Sequence, residues 1–287
     1  MRRLNPSLIA GAVLVAAVVL LALISFVWTP QDPGLVVPDD RLATPSGAHW
    51  LGADKLGRDV FAQILVGART TLFVGIVSVG IAAVIGVPLG IVAAMTSPRL
   101  RWLGEVLMRI NDLLLAFPAL LLAIMLGAVY GASVLTAMIA IGIATVPVFA
   151  RVVRSGALQV MGAEYVVAAR AAGRRPLAIG VRHVLPNVMS LIIVQASVSF
   201  AIAILAEAAL SFLGLGAPPD VPSWGRMLQE SQSLLGQAPR LAIIPGVAIA
   251  LAVLGFNLLG DGLRDMLDPR MERRAQVAAR DDAGSAT

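Results

Sequence analysis

The sequence predicts an all-α polytopic membrane protein with six transmembrane helices, and its composition, its apolar runs and the placement of its arginines carry that expectation. Hydrophobic residues make up 58% of the 287-residue chain and charged residues only 14%. Soluble domains hold about 45–50% apolar and about 25% charged residues. Apolar runs close to the ~20 residues that cross hydrocarbon recur six times, with arginine concentrated in alternate connections.

The first run is Ser7–Trp28. Arg2 and Arg3 precede it as they would a signal peptide, but the run is too long for a signal h-region and ends in "FVWTP" with no small-residue cleavage site. A retained span is therefore expected. Thr71–Met95, Leu113–Tyr130, Val134–Ala150, Val188–Leu210 and Leu241–Leu259 follow. The third grades from an amphipathic stretch, "GEVLMRINDLL", into a wholly apolar one. Pro88, Pro118, Pro147 and Pro245 fall within spans, where proline is tolerated. Gly86 and Gly90 form a GxxxG that reads most simply as ordinary helix packing.

Three regions result. Residues 1–70 hold the first helix and a long polar segment. Residues 71–265 form the transmembrane core, with connections at 151–187 and 211–240. Residues 266–287 form a charged tail expected to be flexible.

Orientation follows from the rule that positively charged loops stay in the cytoplasm. With the N-terminus inside, 16 of the 22 basic residues fall on the inner side, so both ends are expected inside the cell. The same asymmetry explains a net charge of +5 and a pI near 10.8 without nucleic acid. The chain has no cysteine, hence no thiolate metal site, disulfide or cysteine nucleophile. Lys55 is its only lysine and sits in "GADKLGRD", not in the Gly-Lys-Ser/Thr of a phosphate-binding loop. The chain itself is thus not expected to bind ATP. There is no Ser/His/Asp set, no paired-carboxylate site and no metal cluster, so no catalytic role is expected.

The largest inner connection contains "EYVVAARAAGRRPLAIGVRHVLPN". Its first part is rich in good helix formers. Gly173 suits the position after a helix end because glycine takes φ > 0 without penalty, and Pro176 blocks continuation. Pro176 can instead open a second short helix that Pro186 closes. Ala168, Ala169, Ala171 and Ala172 bury little side chain but permit close backbone approach to a partner. Arg170, Arg174 and Arg175 flank that patch, placed for acidic groups or anionic lipid. The residues alone leave two readings equal: a docking element, or an interfacial loop carrying positive-inside arginines.

This stretch resembles the EAA loop of ABC-importer permeases, E-A-A-x-x-x-G-x₉-I-x-L-P. The match covers Ala168, Ala169, Gly173, Leu185 and Pro186, with Val167 in place of the glutamate and His183 in place of the isoleucine. The wider form is similar to that of the peptide/nickel (dipeptide and oligopeptide) permeases. Their C-type subunits supply three further likenesses: "HWLGADKLGRDVFAQILVGARTTL", "AILAEAALSFLGLGAPPDVPSWGRMLQE" and "FNLLGDGLRDMLDPR".

The resemblance implies a type I ABC-importer permease fold and a coupling helix formed by Ala163, Glu164, Tyr165, Ala168, Ala169, Arg170, Ala171, Ala172, Gly173, Arg174, Leu185 and Pro186. It implies ATP and Mg held by two partner ATPase subunits or one fused ATPase, with no cofactor on this chain. It also implies a second homologous permease, an extracytoplasmic binding protein docked near Asp54, Arg58, Asp59, Pro222 and Trp224, and a prokaryotic plasma-membrane location. The expected cargo is a di- or oligopeptide, with nickel chelates or glutathione as alternatives.

Physical readings stand beside these. His49 has no second histidine or cysteine nearby and reads as a packed or solvated outer residue. Asp54 and Asp59 with Lys55 and Arg58 read as local ion pairs, weak where exposed, whose main use is to order the long outer segment. Trp224 reads as an interface anchor, and His183 as a loop-packing residue. Glu207, an acid inside a span, costs about 2.5–3.5 kcal/mol at mid-membrane. With Ser211 it reads equally as a translocation path or gate group and as a structural hydrogen-bonding residue. An ion-coupled secondary carrier would place several acids mid-membrane, whereas only Glu207 lies there, with Asp112 and Asp261 at span edges. A membrane scaffold that merely recruits a partner is the remaining alternative.

Overall fold

A computed structural model describes residues 6–96 and 101–267. The tail read as flexible lies outside the described residues from position 268 onward. Helix α1 (Pro6–Val27), α2 (Val60–Met95), α3 (Arg101–Ala116), α4 (Ala119–Tyr130) and α5 (Val134–Met161) are followed by the short α6 (Glu164–Ala171) and α7 (Pro176–Ile179). Then come α8 (Leu185–Phe212), α9 (Trp224–Ser231) and α10 (Arg240–Leu267). Five continuous helices are long and apolar enough to cross a membrane, and the bent pair α3–α4 makes up to six.

Small residues set how closely these helices pack. A Cβ on Gly86 would lie 2.6 Å from Phe149 Cβ, and one on Gly90 2.6 Å from the Ala150 carbonyl oxygen. The GxxxG is thus spent seating α2 against α5 within the chain. Ser78 of α2 donates to the Met138 carbonyl at 3.0 Å across the same contact. Helix α1 lies along α10, with Gly11 against the backbone of Leu258 and Leu259 and Gly262 against Leu8. Phe200 of α8 stacks on Phe256 of α10 at 4.1 Å.

Several span boundaries differ from expectation. The third span begins at Arg101 rather than Leu113, and the last runs on to Leu267 rather than ending at Leu259. Four further differences have a physical reason. Helix α2 starts at Val60 rather than Thr71, because Asp59 caps it by accepting from the Ala62 amide at 2.7 Å. Its added turns bury Val60, Ala62, Ile64, Leu65 and Ala68. The third span is two helices meeting at 81° across Phe117 and Pro118. Proline lacks the amide that would continue the ladder and drives the preceding residue out of the α region. Pro88, Pro147 and Pro245 stay inside continuous helices. Pro147 and Pro245 are buried, whereas Pro88, like Pro118, is exposed, so exposure alone does not decide which proline breaks its helix.

Helix α5 runs past Ala150 to Met161, which puts Arg151 and Arg154 on the helix rather than in a loop. Lastly, Pro186 does not close the second helix. The chain runs helically from Pro176 to Phe212. The π turn Gly180–Val184, in which the Leu185 amide donates to the Gly180 carbonyl, absorbs the donor that Pro186 lacks.

The bundle therefore has two differently built ends. At one, α6 hangs between α5 and the α7–α8 helix. At the other, residues 28–59 and 213–239 fold together into a cap.

Candidate functional site: the loop end and the cap

At the loop end, α6 is held by one inward residue. Val166 is fully buried in a cluster with Val153, Ala157, Met161, Ile179, Val184 and Val188. The C-terminus of α6 closes in a two-bond cap: the Gly173 amide donates to the Arg170 carbonyl at 2.9 Å and the Arg174 amide to the Ala169 carbonyl at 3.1 Å. That cap requires a left-handed residue, and Gly173 has φ +74°. Nothing lies within 4 Å of where its Cβ would be, so the demand at this position is conformational and not spatial. Pro176 opens the next helix. The helix–bend–helix expected from the residues is present, with a second arm that continues into a span.

Its outward face is largely uncovered among the described residues. Glu164, Tyr165, Val167, Ala168, Arg170, Ala171, Ala172, Arg174 and Pro186 are exposed, while Ala163, Ala169 and Leu185 are half-buried. Leu177 is 80% exposed, far above what a finished surface asks of a leucine. The ring of Tyr165 lies 6.0 Å from that of His183, which ties α6 to the π turn and bears out the packing role read for that histidine. Arg170 reaches Met161 Sδ at 3.4 Å.

The cap is built from charge pairs that the spacing hid. Arg58 donates to Asp54 Oδ2 at 2.6 Å and also to Glu230 of α9, 172 positions away. Gln63 donates to Asp54 at 3.1 Å, and Arg226 to Glu230 at 3.1 Å. The Asp54–Arg58 pair expected from the sequence is thus present, and with side chains only 11–15% exposed the network of Arg58, Asp54 and Glu230 is interior. Glu230 was the missing member; its Arg226 partner sits four residues before it on one helix face, a signal open to reading. Arg240 of α10 ties the segment down further, donating to the Leu42 and Ala43 carbonyls at 2.9 and 2.8 Å.

Trp224 corrects another expectation. It is 1% exposed, fits against Gly67 of α2 and donates its indole N–H to the Ile64 carbonyl at 3.1 Å. It pins the cap to the bundle and is not a membrane-interface anchor. Asp59 is 1% exposed as well. Pro222 is half-buried, its carbonyl accepting from Thr70 at 3.0 Å. Asp59 and Trp224 are therefore too buried to touch a docked partner directly. The cap's open cleft, of about 570 Å³, is lined instead by Lys55, Arg226, Gln229, Glu230, Gln232 and Ser233.

His49 is packed, 3% exposed, with Nδ1 2.9 Å from Asp59 and Nε2 3.3 Å from Asp40. The hydrogen bond to Asp59 chiefly raises its pKa above the ordinary 6.5, burial opposes this, and Asp40 adds to the rise. A raised folded value means that the stabilisation is complete below about pH 6.5 and is lost as pH rises through the folded pKa. Limited proteolysis of residues 28–59 should accordingly be slower at pH 6 than at pH 9, and His49→Gln should remove that difference. Equal pH dependence in both proteins would reject the clasp.

Glu207 lies inside the bundle at 2% exposure. Ser211 donates to its Oε1 at 2.7 Å and in turn accepts from the Ala217 amide at 3.0 Å, which ties the end of α8 to the cap. Its other oxygen has no partner among the described residues. The arrangement contains the hydrogen bond of the structural reading, with Glu207 enclosed among this chain's own helices. At the third span's edge, Asp112 accepts from Arg151 at 2.6 Å.

The chain is thus a helical bundle with a broken third span and a short helix projected on a glycine bend. Its fold is similar to that of a chain in inward-facing MetNI methionine ABC transporter structures, with a TM-score of 0.59 over 72% of this chain and 96% of that one at 18% identity. A second crystal form gives 0.60 over 70% and 94% at 20% identity. Residues 86–273 match the family described as binding-protein-dependent transport system inner membrane component, and the chain belongs to that family. It is 43% identical over 268 residues to the dipeptide transport system permease DppC of Alkalihalophilus pseudofirmus, covering 93% of this chain and 87% of that one. It is 45% identical over 260 residues to the glutathione transport system permease GsiD of Pectobacterium atrosepticum, covering 89% and 85%.

Proposed function

We propose that this permease moves small peptides inward across a prokaryotic plasma membrane, driven by ATP hydrolysed on partner subunits. The observation that carries the coupling half is the exposed α6 face, held by Val166 and the Gly173 bend between α5 and α8. Leu177 and the alanines offer an apolar surface that a cleft can bury, and Arg170 and Arg174 flank it with charge. Because α7 runs on into α8, displacement of α6 by a closing ATPase pair is passed to a span as a rigid lever. Ala163–Arg174, with Leu185 and Pro186 at the root of α8, form the coupling element in this reading.

Both ends of the chain lie in the cytoplasm, as the arginine asymmetry favours. The cap then faces outward, and its cleft beside Lys55, Gln229, Gln232 and Ser233 receives a substrate-binding protein. Asp54, Arg58, Asp59, Pro222 and Trp224 hold that surface in shape. Residues 1–70 act as helix and cap, 71–265 as the translocating core and 266–287 as a cytoplasmic tail. A second homologous permease completes the path, and the chain carries no cofactor or reaction of its own. Peptide cargo is supported by the likeness to a dipeptide and a glutathione permease, glutathione being itself a small peptide.

Uptake into vesicles carrying the reconstituted importer tests this. Dipeptide accumulation should require ATP and the binding protein together. Accumulation on a proton gradient alone would mark a secondary carrier, and none under any condition would mark a scaffold.

A further inference from the structure

A groove of about 850 Å³ opens sideways from the bundle near the cap end, between α1, α2, α5 and α8. We infer that it binds one anionic phospholipid of the leaflet at the cap end, with an acyl chain in the groove and the phosphate on Arg69. Along α1 the lining runs from Phe26 down to Val15, about 16 Å at 1.5 Å per residue. That is close to half of the roughly 30 Å hydrocarbon core, the depth of one leaflet.

The charge distribution selects the occupant. Leu23, Phe73, Ile76 and Leu135 make the walls apolar and are themselves 56%, 56%, 62% and 61% exposed. Only Arg69 and Thr70 are polar in the lining. The Thr70 hydroxyl already bonds the Pro222 carbonyl. Arg69 lies at the cap-end mouth with its guanidinium carbon 4.7 Å above the Phe26 ring. Among the described residues it has no carboxylate partner, which leaves its charge uncompensated beside the apolar groove. An uncompensated guanidinium at the top of a leaflet-deep apolar slot is complementary to a phosphodiester headgroup without its own cation. A second permease helix seated there would bury that charge with none of the described residues to neutralise it, unless that helix brought an acid of its own. The inference is independent of the cargo proposed above.

Native mass spectrometry of the assembled importer, titrated with phosphatidylglycerol or phosphatidylcholine of matched acyl chains, tests it. Wild type should favour phosphatidylglycerol. Arg69→Gln should weaken that lipid about fivefold, the effect of one basic residue at an anionic surface, and leave phosphatidylcholine unchanged. A photo-crosslinker at Ile76, which the assembly needs for no contact within this chain's core, should capture lipid. Equal binding of the two lipids by wild type, no change in Arg69→Gln, or capture of the second permease at Ile76 would each overturn the site.

Discussion

Replacing Gly173 by valine should leave the importer hydrolysing ATP without moving cargo, or strip it of its ATPase subunits. The position has φ +74° and open space around it. The whole effect therefore comes from the backbone: a left-handed residue costs an L-amino acid about 1–2 kcal/mol, and a β-branched one more. To escape the strain, the chain must give up the two closing bonds from Gly173 and Arg174 and re-aim α6. Gly173→Asn separates this cause from simple crowding, since asparagine tolerates the left-handed region and should keep most coupled transport. The measurement is ATPase rate and uptake on the same purified complexes. Normal coupling and full ATPase content in Gly173→Val would refute the coupling assignment.

Trp224→Ala should be the most destabilising single change in the cap. The side chain is 1% exposed, is wedged against Gly67 and donates to Ile64. Truncating a buried aromatic to alanine costs about 3–5 kcal/mol. Trp224→Phe keeps most of the packing and loses the hydrogen bond, a cost of about 1 kcal/mol. Thermal unfolding and protease sensitivity of residues 213–239 report the order wild type, phenylalanine, alanine. An alanine variant as stable as wild type would return Trp224 to the role of a surface anchor.

Much of the loop end was legible because its signals are local. Gly173 and Pro176 act through their own backbone geometry, and Ala168 to Ala172 through their own lack of bulk. The cap was not. Arg58 and Glu230 lie 172 positions apart, and their pairing depends on how α9 folds back over the start of α2. Asp59 read as a partner of Lys55 or Arg58 because nothing nearby shows that it caps α2 with one oxygen and grips His49 with the other. Pro186 read as a stop because proline usually is one, and the π turn before it cancels that rule. Pro118 did break its helix, whereas Pro88, also exposed, sits inside a continuous one.

Hydropathy and charge placement were enough to establish a membrane-spanning helical chain with a bent, alanine-faced loop, because solvation and backbone sterics are properties of short segments. The network of Arg58, Asp54 and Glu230, the burial of Trp224 and Glu207, and the groove under Arg69 arise only when distant helices meet. Whether a charge is paired, and whether a large side chain is surface or wedge, depends on what lies across from it in space. That is why the loop end could be read in order along the chain, and the cap only from its packing.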